Sequence, residues 1–322
     1  MPAGGAGLSR LASALHARGL LRRAELGVAA DPLCAPRDAA AAAGAGAMLE
    51  LAARRTIALG VVTYRAPESL RHSLESWRRS GLLDLVDERM VFANDPSAVD
   101  VALAKEFGLD FYATGEFGGN VMIAGAVTYL VGNATADYLL LLEKDFPFAP
   151  EVEGNAHNSM REIFAGVQLL SRGVADIYRL RGALDFPSEG YRDCCHNECP
   201  GYSRWASKGR WVDHQNYLSI YCEPNVVNIS RGRAAQCAAE PSAPDVFCYS
   251  SSDSAYSNNP TLISRAWYTK TLRDWTLSRL DKLQFNNHDF EESVTESWLG
   301  WSPPARICAS KRGLFRHYEV DL

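Results

Sequence analysis

Residues 137–146 read DYLLLLEKDF, a short apolar run that ends in two carboxylates one residue apart. The run is too short to span a membrane, and its composition is typical of a buried strand in a covered sheet. Because ligands of open α/β sheets bind at the carboxyl ends of strands, Glu143 and Asp145 are predicted to face a ligand site. An acidic pair there suits a hard divalent cation that bridges to phosphate oxygens. The alternative is a strand that ends in a solvated acidic turn.

The bulk composition excludes several classes of protein. Of the 322 residues, 47% are hydrophobic and 22% are charged, as in an ordinary globular chain long enough for one large domain. The net charge of −5 gives no electrostatic reason to expect nucleic-acid binding. No apolar stretch is long enough for a transmembrane helix.

The composition of the chain changes near residue 55. Residues 1–55 are rich in Ala, Gly, Leu and Arg, with leucines at helical spacing and arginines between them. This N-terminal extension is interpreted either as a helical or disordered lead-in or as an amphipathic targeting segment. Residues 56–322 are predicted to form one fused domain, with a first half over 56–150 and a loop-rich second half over 151–322.

Strand-like and helix-like segments alternate through the first half. Apolar runs predict strands near residues 56–63, 89–93 and 109–112, and again just before Glu143. Amphipathic segments between these runs predict helices, the first of which begins at Pro67. This alternation is the pattern of a doubly wound α/β fold, with a mixed but mostly parallel sheet flanked by helices.

Signals for regular structure are weaker in the second half. Three strands and three helices are nevertheless expected between residues 160 and 298. The strands are expected at 175–180, 217–221 and 260–264, and the helices at 160–170, 266–280 and 290–298.

Cysteines are concentrated in the second half of the chain. Seven of the eight lie there, three of them in the stretch CCHNEC at residues 194–199. The spacing does not match a zinc finger, so disulfides from this cluster to Cys222, Cys237 or Cys248 are expected, with the pairing left open. The cysteines and two glycosylation sequons favour the Golgi or secretory lumen. A cytoplasmic location is the alternative, because the chain shows no membrane anchor.

Four short motifs follow one another at predicted strand ends and helix starts. They are VVTYR at 61–65, FAND at 92–95, GGN at 118–120 and LLLEKD at 140–145. Their order resembles the nucleotide-sugar-binding half of GT-A glycosyltransferases, particularly the family-2-like group. In that family an Asp-x-Asp motif holds manganese or magnesium against the donor diphosphate. Here Glu143 takes the first acidic position, Lys144 the variable middle position, and Asp145 the position of the more direct ligand.

The same resemblance implies a set of residues that line the donor nucleotide, its ribose and its diphosphate. These residues are Thr63, Tyr64, Arg65, Asn94, Asp95, Gly119, Asn120 and Lys144. Polar groups at strand ends and helix starts can carry such recognition. Each motif alone also fits an ordinary strand-to-helix turn or, for Asn120, a helix cap. The resemblance further makes Asn258, Asn259 and Arg265 candidate contacts to the acceptor or the diphosphate.

Two late segments extend the resemblance. Many GT-A enzymes have a late histidine that completes the metal site, and His317 in the segment GLFRH matches it. An imidazole suits Mn²⁺ better than Mg²⁺. Inverting members carry an acid at the start of a late helix, where it takes the proton from the acceptor hydroxyl. Glu291 is the first candidate for this base and Glu292 the second, and the alternative for both is a helix N-terminal charge.

The resemblance implies a metal-dependent, inverting transfer of a hexosyl or pentosyl group. The donor would be a nucleotide-sugar, the acceptor a hydroxyl of a glycan or glycoprotein, and the cofactor Mn²⁺ or Mg²⁺. Two other functions stay open: a non-catalytic carbohydrate- or nucleotide-binding protein on the same fold, and a sugar nucleotidyltransferase. The nucleotidyltransferase usually has a Gly-rich loop with a basic residue after the first strand, which residues 61–67 lack. The intact candidate acids argue against the binding protein.

Overall fold

The structure, a computed structural model, describes most of the chain from residue 55 onward. The described residues are 55–117, 120–150, 152–153, 156–180, 234–238, 246–253, 256, 258, 260–279, 290–298, 300–310 and 313–318. Residues 1–54, Gly119, the cysteine cluster at 194–199 and the strand expected at 217–221 lie outside them.

The first half alternates strands and helices as predicted. Its elements are β1 (Ile57–Tyr64), α1 (Pro67–Arg79), α2 (Leu82–Leu85), β2 (Glu88–Asn94), α3 (Ala98–Phe107), β3 (Asp110–Ala113), α4 (Met122–Asn133) and β4 (Tyr138–Glu143). Local sequence explains where the helices begin and end. Pro67 is the first residue of α1, and Ser97 and Asp100 form a capping box at the start of α3. Gly108 ends α3 with a φ of 67°, a conformation that glycine adopts without strain.

The second half contains three strands that the sequence does not predict. Its elements are α5 (Ala156–Ser171), β5 (Ile177–Arg179), β6 (Ala234–Ala238), β7 (Val246–Ser250), β8 (Thr261–Ser264), α6 (Arg265–Tyr268), α7 (Asp274–Leu277), α8 (Phe290–Trp298) and β9 (Arg306–Ser310). The unpredicted strands are β6, β7 and β9, whose short runs AAQCA, VFCYS and RICAS give little periodic signal. The helix expected at 266–280 is divided into α6 and α7 by a π turn at Thr269–Arg273.

The nine described strands form one sheet in the order β3-β2-β1-β4-β8-β5-β9-β7-β6. Strands β1 to β4 pair in parallel, β8 is antiparallel to both β4 and β5, and β9 is parallel to β5. The predicted α/β fold with a mixed sheet is therefore confirmed. As a consequence of these directions, the carboxyl ends of β1, β2, β4, β5 and β9 and the amino end of β8 all lie at one edge of the sheet. We call this the carboxyl edge.

The core packs against both faces of the sheet. In β1, Ile57, Leu59 and Val61 join a cluster with α1 and α5, whereas Ala58 and Val62 join a second cluster with α4 and α8. This alternation follows from the two-residue period of a strand. Among the helices of the described residues, none has the length and apolar character that crossing a bilayer requires.

A disulfide joins β7 to β9. Cys248 and Cys308 are register partners in this antiparallel pair, both are fully buried, and the bridge links positions 60 residues apart in sequence. Of the three partners considered for the cluster at 194–199, Cys248 is therefore wrong, and Cys222 and Cys237 stay predictions. The sheet register decides the pairing, and spacing along the chain does not reveal that register.

Gly166 on α5 packs directly against the ring of Tyr178. A Cβ at this position would lie 2.5 Å from Cδ1 of Tyr178, which is fully buried and donates a hydrogen bond to Glu162 at 3.2 Å. We expect Gly166→Ala to lower the free energy of unfolding by about 1–3 kcal/mol, because the crowded ring must move. Urea unfolding measures the change.

Gly132 in α4 is the matched control for Gly166. A Cβ there meets nothing within 4 Å, so Gly132→Ala is expected to stabilise the helix by about 0.5–1 kcal/mol. If Gly166→Ala raised the free energy of unfolding as much as Gly132→Ala, the close packing of Gly166 against the ring of Tyr178 would be contradicted.

Candidate active site

The segment at residues 313–318 is fastened to the residues that follow β4. It comes directly after β9, whose carboxyl end lies at the carboxyl edge. Backbone hydrogen bonds hold it there, from Ala149 N to Leu314 O, from Arg316 N to Pro147 O and from Tyr318 N to Asp145 O. Phe148 and Phe315, both buried, pack with their ring centroids 4.8 Å apart. These contacts bring His317 to Asp145 across 172 residues of sequence.

Helix α1 holds the backbone of the residues that follow β4. Nε1 of Trp77 donates to the carbonyl oxygen of Phe146 at 2.9 Å, and the backbone N–H of Phe148 donates to Oγ of Ser76 at 3.0 Å. The ring of Phe146 also lies 5.3 Å from that of His317, measured between centroids. Because Trp77 is fully buried, the residues around Asp145 rest on the rigid core rather than on a free loop.

Asp145 belongs to a hydrogen-bond network just beyond β4. Its Oδ2 accepts a hydrogen bond from Nζ of Lys144 at 2.9 Å and lies 3.0 Å from Nε2 of His317. The side chain of Asp145 is 6% exposed, whereas that of His317 is 45% exposed. Burial alone raises the pKa of Asp145, but the hydrogen bond to His317 and the ammonium of Lys144 outweigh burial and hold the pKa below its ordinary value. Asp145 is therefore an ionised carboxylate at neutral pH.

The second carboxylate oxygen of Asp145 is suited to a cation. Oδ1 is buried, and no group in the described part of the chain donates a hydrogen bond to it. Buried charged oxygens are normally satisfied, and a bound cation or a ligand donor is the kind of partner that would satisfy this one. A carboxylate oxygen beside an imidazole nitrogen suits Mn²⁺. Within the described residues no group of three or more His, Cys, Asp or Glu side chains is arranged to hold a metal ion, so Glu143 as a third ligand stays a prediction.

The carboxyl ends of β1 and β2 carry residues implied in nucleotide binding. Arg65 and Asp95 form an ion pair, and the Arg65 guanidinium lies 5.1 Å from the ring centroid of Tyr64, which is 44% exposed. Thr63 is buried, and its Oγ1 has no hydrogen-bond partner among the described residues. Arg65 and Asp95 have φ angles of 46° and 54°, which are uncommon for residues with a side chain. Such strained conformations cluster at binding sites.

Asn94 uses its side chain to hold the start of α4. Its Oδ1 accepts from the backbone N–H of Val121 at 3.1 Å, and its Nδ2 donates to the carbonyl oxygen of Met122 at 3.4 Å. The Oδ1 of Asn120 accepts from the N–H of Met122 at 2.7 Å, but the N-cap of α4 is Val121, so Asn120 forms a turn just before the helix and does not cap it. Asn94 therefore shapes the loop from within the protein, and a direct contact from Asn94 or Asn120 to a nucleotide stays a prediction.

A second group of charged residues surrounds Tyr256. Burial, followed by the fields of Tyr268 and Glu291, raises the pKa of Tyr256 well above its ordinary value. Glu143 adds to this rise, and the guanidinium of Arg179 opposes it. Glu143, Arg179 and Glu291, from the ends of β4 and β5 and the start of α8, are thus charged side chains whose fields act on Tyr256.

Glu291 is held in place in the first turn of α8. Its Oε1 accepts a hydrogen bond from the backbone N–H of Asn258. Tyr256 packs edge-to-face against Phe290 and Trp298 of the same helix, with ring centroids 5.5 and 5.2 Å apart. These contacts fasten α8 to the residues that precede β8, and they hold the carboxylate of Glu291 at the carboxyl edge.

Sequence reasoning gave no role to Arg179 or to Tyr256. Arg179 does leave a signal, since an arginine inside the apolar run at 175–180 predicts a buried charge, and the residue is 5% exposed. No sequence pattern singles out Tyr256, because an aromatic residue in a polar loop is common. Gly119 and the side chain of Glu292 fall outside what the structure describes, and their roles stay predictions.

Comparison with known proteins yields distant structural matches. No family model and no curated protein matches the chain. TarS from S. aureus is 10% identical with a TM-score of 0.45, over 82% of this chain and 60% of that one. Mannosyl-3-phosphoglycerate synthase from Rubrobacter xylanophilus is 14% identical with a TM-score of 0.31, over 42% and 44%. Glucosyl-3-phosphoglycerate synthase from Mycobacterium tuberculosis, solved with Mn²⁺ and UDP-glucose, is 15% identical with a TM-score of 0.30, over 42% and 46%.

The matched regions span between 44% and 60% of the length of these three proteins. Similarity at this level carries no argument about what this chain binds or does. The fold and the site define the protein at a broader level: a mixed α/β domain with charged groups from distant parts of the chain gathered at the carboxyl edge of its sheet.

Proposed function

We propose that this chain is a GT-A glycosyltransferase, which transfers a sugar from a nucleotide-sugar donor to a hydroxyl of a glycan or glycoconjugate. The proposed reaction inverts the anomeric carbon and uses Mn²⁺ or Mg²⁺. The observation that carries the proposal is the pair formed by Asp145 and His317, whose Oδ2 and Nε2 lie 3.0 Å apart at the carboxyl edge. These are two of the three residues that the sequence resemblance implies as metal ligands.

The order of the strands supports the same proposal. Strands β2, β1, β4 and β8 are neighbours in the sheet. The residues implied for the nucleotide follow β2 and β1, those implied for the diphosphate follow β4, and Glu291 is bonded to the segment before β8. Nucleotide, diphosphate and transferred sugar follow one another in a nucleotide-sugar, so one donor molecule laid along the edge meets these groups in sequence.

The proposed chemistry assigns one task to each charged group. Glu291 takes the proton of the acceptor hydroxyl, whose oxygen bonds to the anomeric carbon as the bond from that carbon to the diphosphate breaks. The electron pair leaves with the diphosphate. A bound metal ion would neutralise the negative charge on that leaving group. Lys144 supplies a further positive charge beside Asp145, and the N–H of Asn258 fixes the orientation of the Glu291 carboxylate.

A non-catalytic carbohydrate- or nucleotide-binding protein is the second candidate, and one contact favours it. Nζ of Lys144 lies 2.9 Å from Oδ2 of Asp145, so this carboxylate already has a cation as its partner. A protein that uses this internal ion pair instead of a metal ion would bind its ligand in the presence of a chelator and would not turn it over.

Donor hydrolysis separates the two candidates. The protein is incubated with UDP-glucose, UDP-galactose, UDP-N-acetylglucosamine or GDP-mannose, each with Mn²⁺, with Mg²⁺ or with a chelator, and the released nucleotide is measured. We expect release from one of these donors that depends on the metal ion and stops with the chelator. Metal-independent binding without turnover favours the second candidate. If the protein neither binds nor hydrolyses any of these donors, both candidate functions are contradicted.

A further inference from the structure

Asn258 lies between the two charged groups of the candidate site. Strand β8 runs antiparallel to β4 with Leu141 opposite Thr261. The carbonyl oxygen of Pro260, two residues after Asn258, accepts from the backbone N–H of Leu180, and the carbonyl oxygen of Leu180 accepts from the N–H of Leu314, in the segment that carries His317. On its other side, the backbone N–H of Asn258 donates to Oε1 of Glu291. Asn258 therefore connects the diphosphate side of the site to the side of the candidate base.

The side-chain amide of Asn258 is buried and unsatisfied. The residue is 7% exposed, and neither Oδ1 nor Nδ2 has a hydrogen-bond partner within the part of the chain that the structure describes. An amide carries an acceptor oxygen and two donor hydrogens, and leaving all of them unpaired in a protein interior is unfavourable. Native proteins contain few such groups, and a role in catalysis or ligand binding is one of the recognised explanations.

We propose that the Asn258 amide binds hydroxyl groups of the donor sugar, with Oδ1 accepting from one hydroxyl and Nδ2 donating to the neighbouring oxygen. This inference rests on the proposed function. The donor sugar is the group that joins the diphosphate, on the Asp145 side, to the attacked carbon, on the Glu291 side. The backbone of Asn258 is bonded to Glu291, and both polar atoms of its side-chain amide are buried and lack partners among the described residues.

The chemistry of an amide also specifies which sugars it accepts. A donor and an acceptor side by side fit two vicinal oxygens whose spacing and orientation match the amide plane. A sugar that presents a hydrogen or a hydroxyl of the opposite configuration leaves the amide unpaired. A site that hydrogen-bonds a hydroxyl group strongly rejects analogues without that hydroxyl, because a buried polar group is then left without its partner. Asn258 is thus a specificity-determining residue.

The test compares the wild type with Asn258→Leu, which keeps the branched skeleton of the side chain and removes both polar atoms. Calorimetry with Mn²⁺ measures the affinity for the four nucleotide-sugars named above and for UDP and GDP. We expect the variant to bind UDP or GDP as the wild type does and to bind the preferred nucleotide-sugar about tenfold more weakly. Its melting temperature should be equal or higher, because a buried amide without partners has been replaced by an apolar group of similar shape.

Ser73→Ala is the matched control. It removes another buried oxygen without a partner among the described residues, from within α1, and should leave both affinities unchanged. If Asn258→Leu binds the nucleotide-sugar as tightly as the wild type, or if it melts clearly lower or fails to fold, the amide is not a sugar ligand and the inference is overturned. The proposed function survives that outcome as long as the wild type binds and hydrolyses a donor with metal. A wild type that binds no nucleotide overturns both.

Discussion

Asparagine in place of Asp145 is expected to abolish metal-dependent binding of a nucleoside diphosphate and to lower donor hydrolysis by roughly 10²–10³-fold. The substitution keeps the size of the side chain and removes its charge, so the predicted metal site loses its best ligand for a hard cation. It also removes the anionic partner of Lys144 and His317, which lie 2.9 and 3.0 Å from Oδ2. Calorimetric titration with UDP or GDP, with and without Mn²⁺, measures the binding, and nucleotide release measures turnover.

Asp100 provides the matched control for this substitution. It is a buried aspartate with one oxygen that lacks a partner among the described residues, but its other oxygen caps α3 through Ser97. Asp100→Asn is expected to lower stability by about 1 kcal/mol and to leave nucleotide binding unchanged. If Asp145→Asn still bound nucleotide in a metal-dependent way, the metal site would be wrong, and the ion pair between Lys144 and Asp145 would favour the binding-protein candidate.

The first half of the fold is predictable from sequence because its main strands are uninterrupted apolar runs. Strands β1 and β4 are buried until their last residue, as parallel strands covered on both faces are. Strands β6, β7 and β9 are different, because each has only five residues. Strand β6 joins the sheet only through β7, and β7 joins it through β9, a partner distant in sequence. Their pairing is a tertiary property, and so is the disulfide between Cys248 and Cys308 that follows from it.

The candidate site also has parts that the sequence predicts and parts that only the tertiary structure reveals. His317 is identifiable from the segment GLFRH, but its contact with Asp145 requires that β9 pair in parallel with β5 and so deliver residues 313–318 to the carboxyl edge. No local pattern contains that information. Arg179 and Tyr256 belong to no motif, and only the fold brings Tyr256 under the fields of Glu143, Arg179 and Glu291. Sequence therefore supplies the chemical groups of the site, while the sheet topology decides which of them act together.

Glutamine in place of Glu291 is expected to lower kcat by about 10²–10⁴-fold and to leave donor binding nearly unchanged. Glutamine keeps the shape of the side chain and an oxygen that can accept from the N–H of Asn258, so α8 stays fastened to the carboxyl edge. It cannot take a proton from a hydroxyl. Donor hydrolysis, in which water replaces the acceptor, measures kcat before the acceptor is known, and calorimetry with the nucleotide-sugar shows whether the donor site is intact.

Two companion variants make this experiment decisive. Glu106→Gln removes an exposed carboxylate from α3, where it pairs with Arg71, and should leave kcat unchanged. Glu292→Gln tests the neighbouring candidate. If this substitution causes the large fall in kcat and Glu291→Gln does not, the base is Glu292. If neither substitution on α8 lowers kcat while Asp145→Asn does, the reaction uses no carboxylate base on this helix. The base of the proposed inverting transfer would then lie on another element, and the hydrogen bond from Asn258 to Glu291 would serve only to anchor α8.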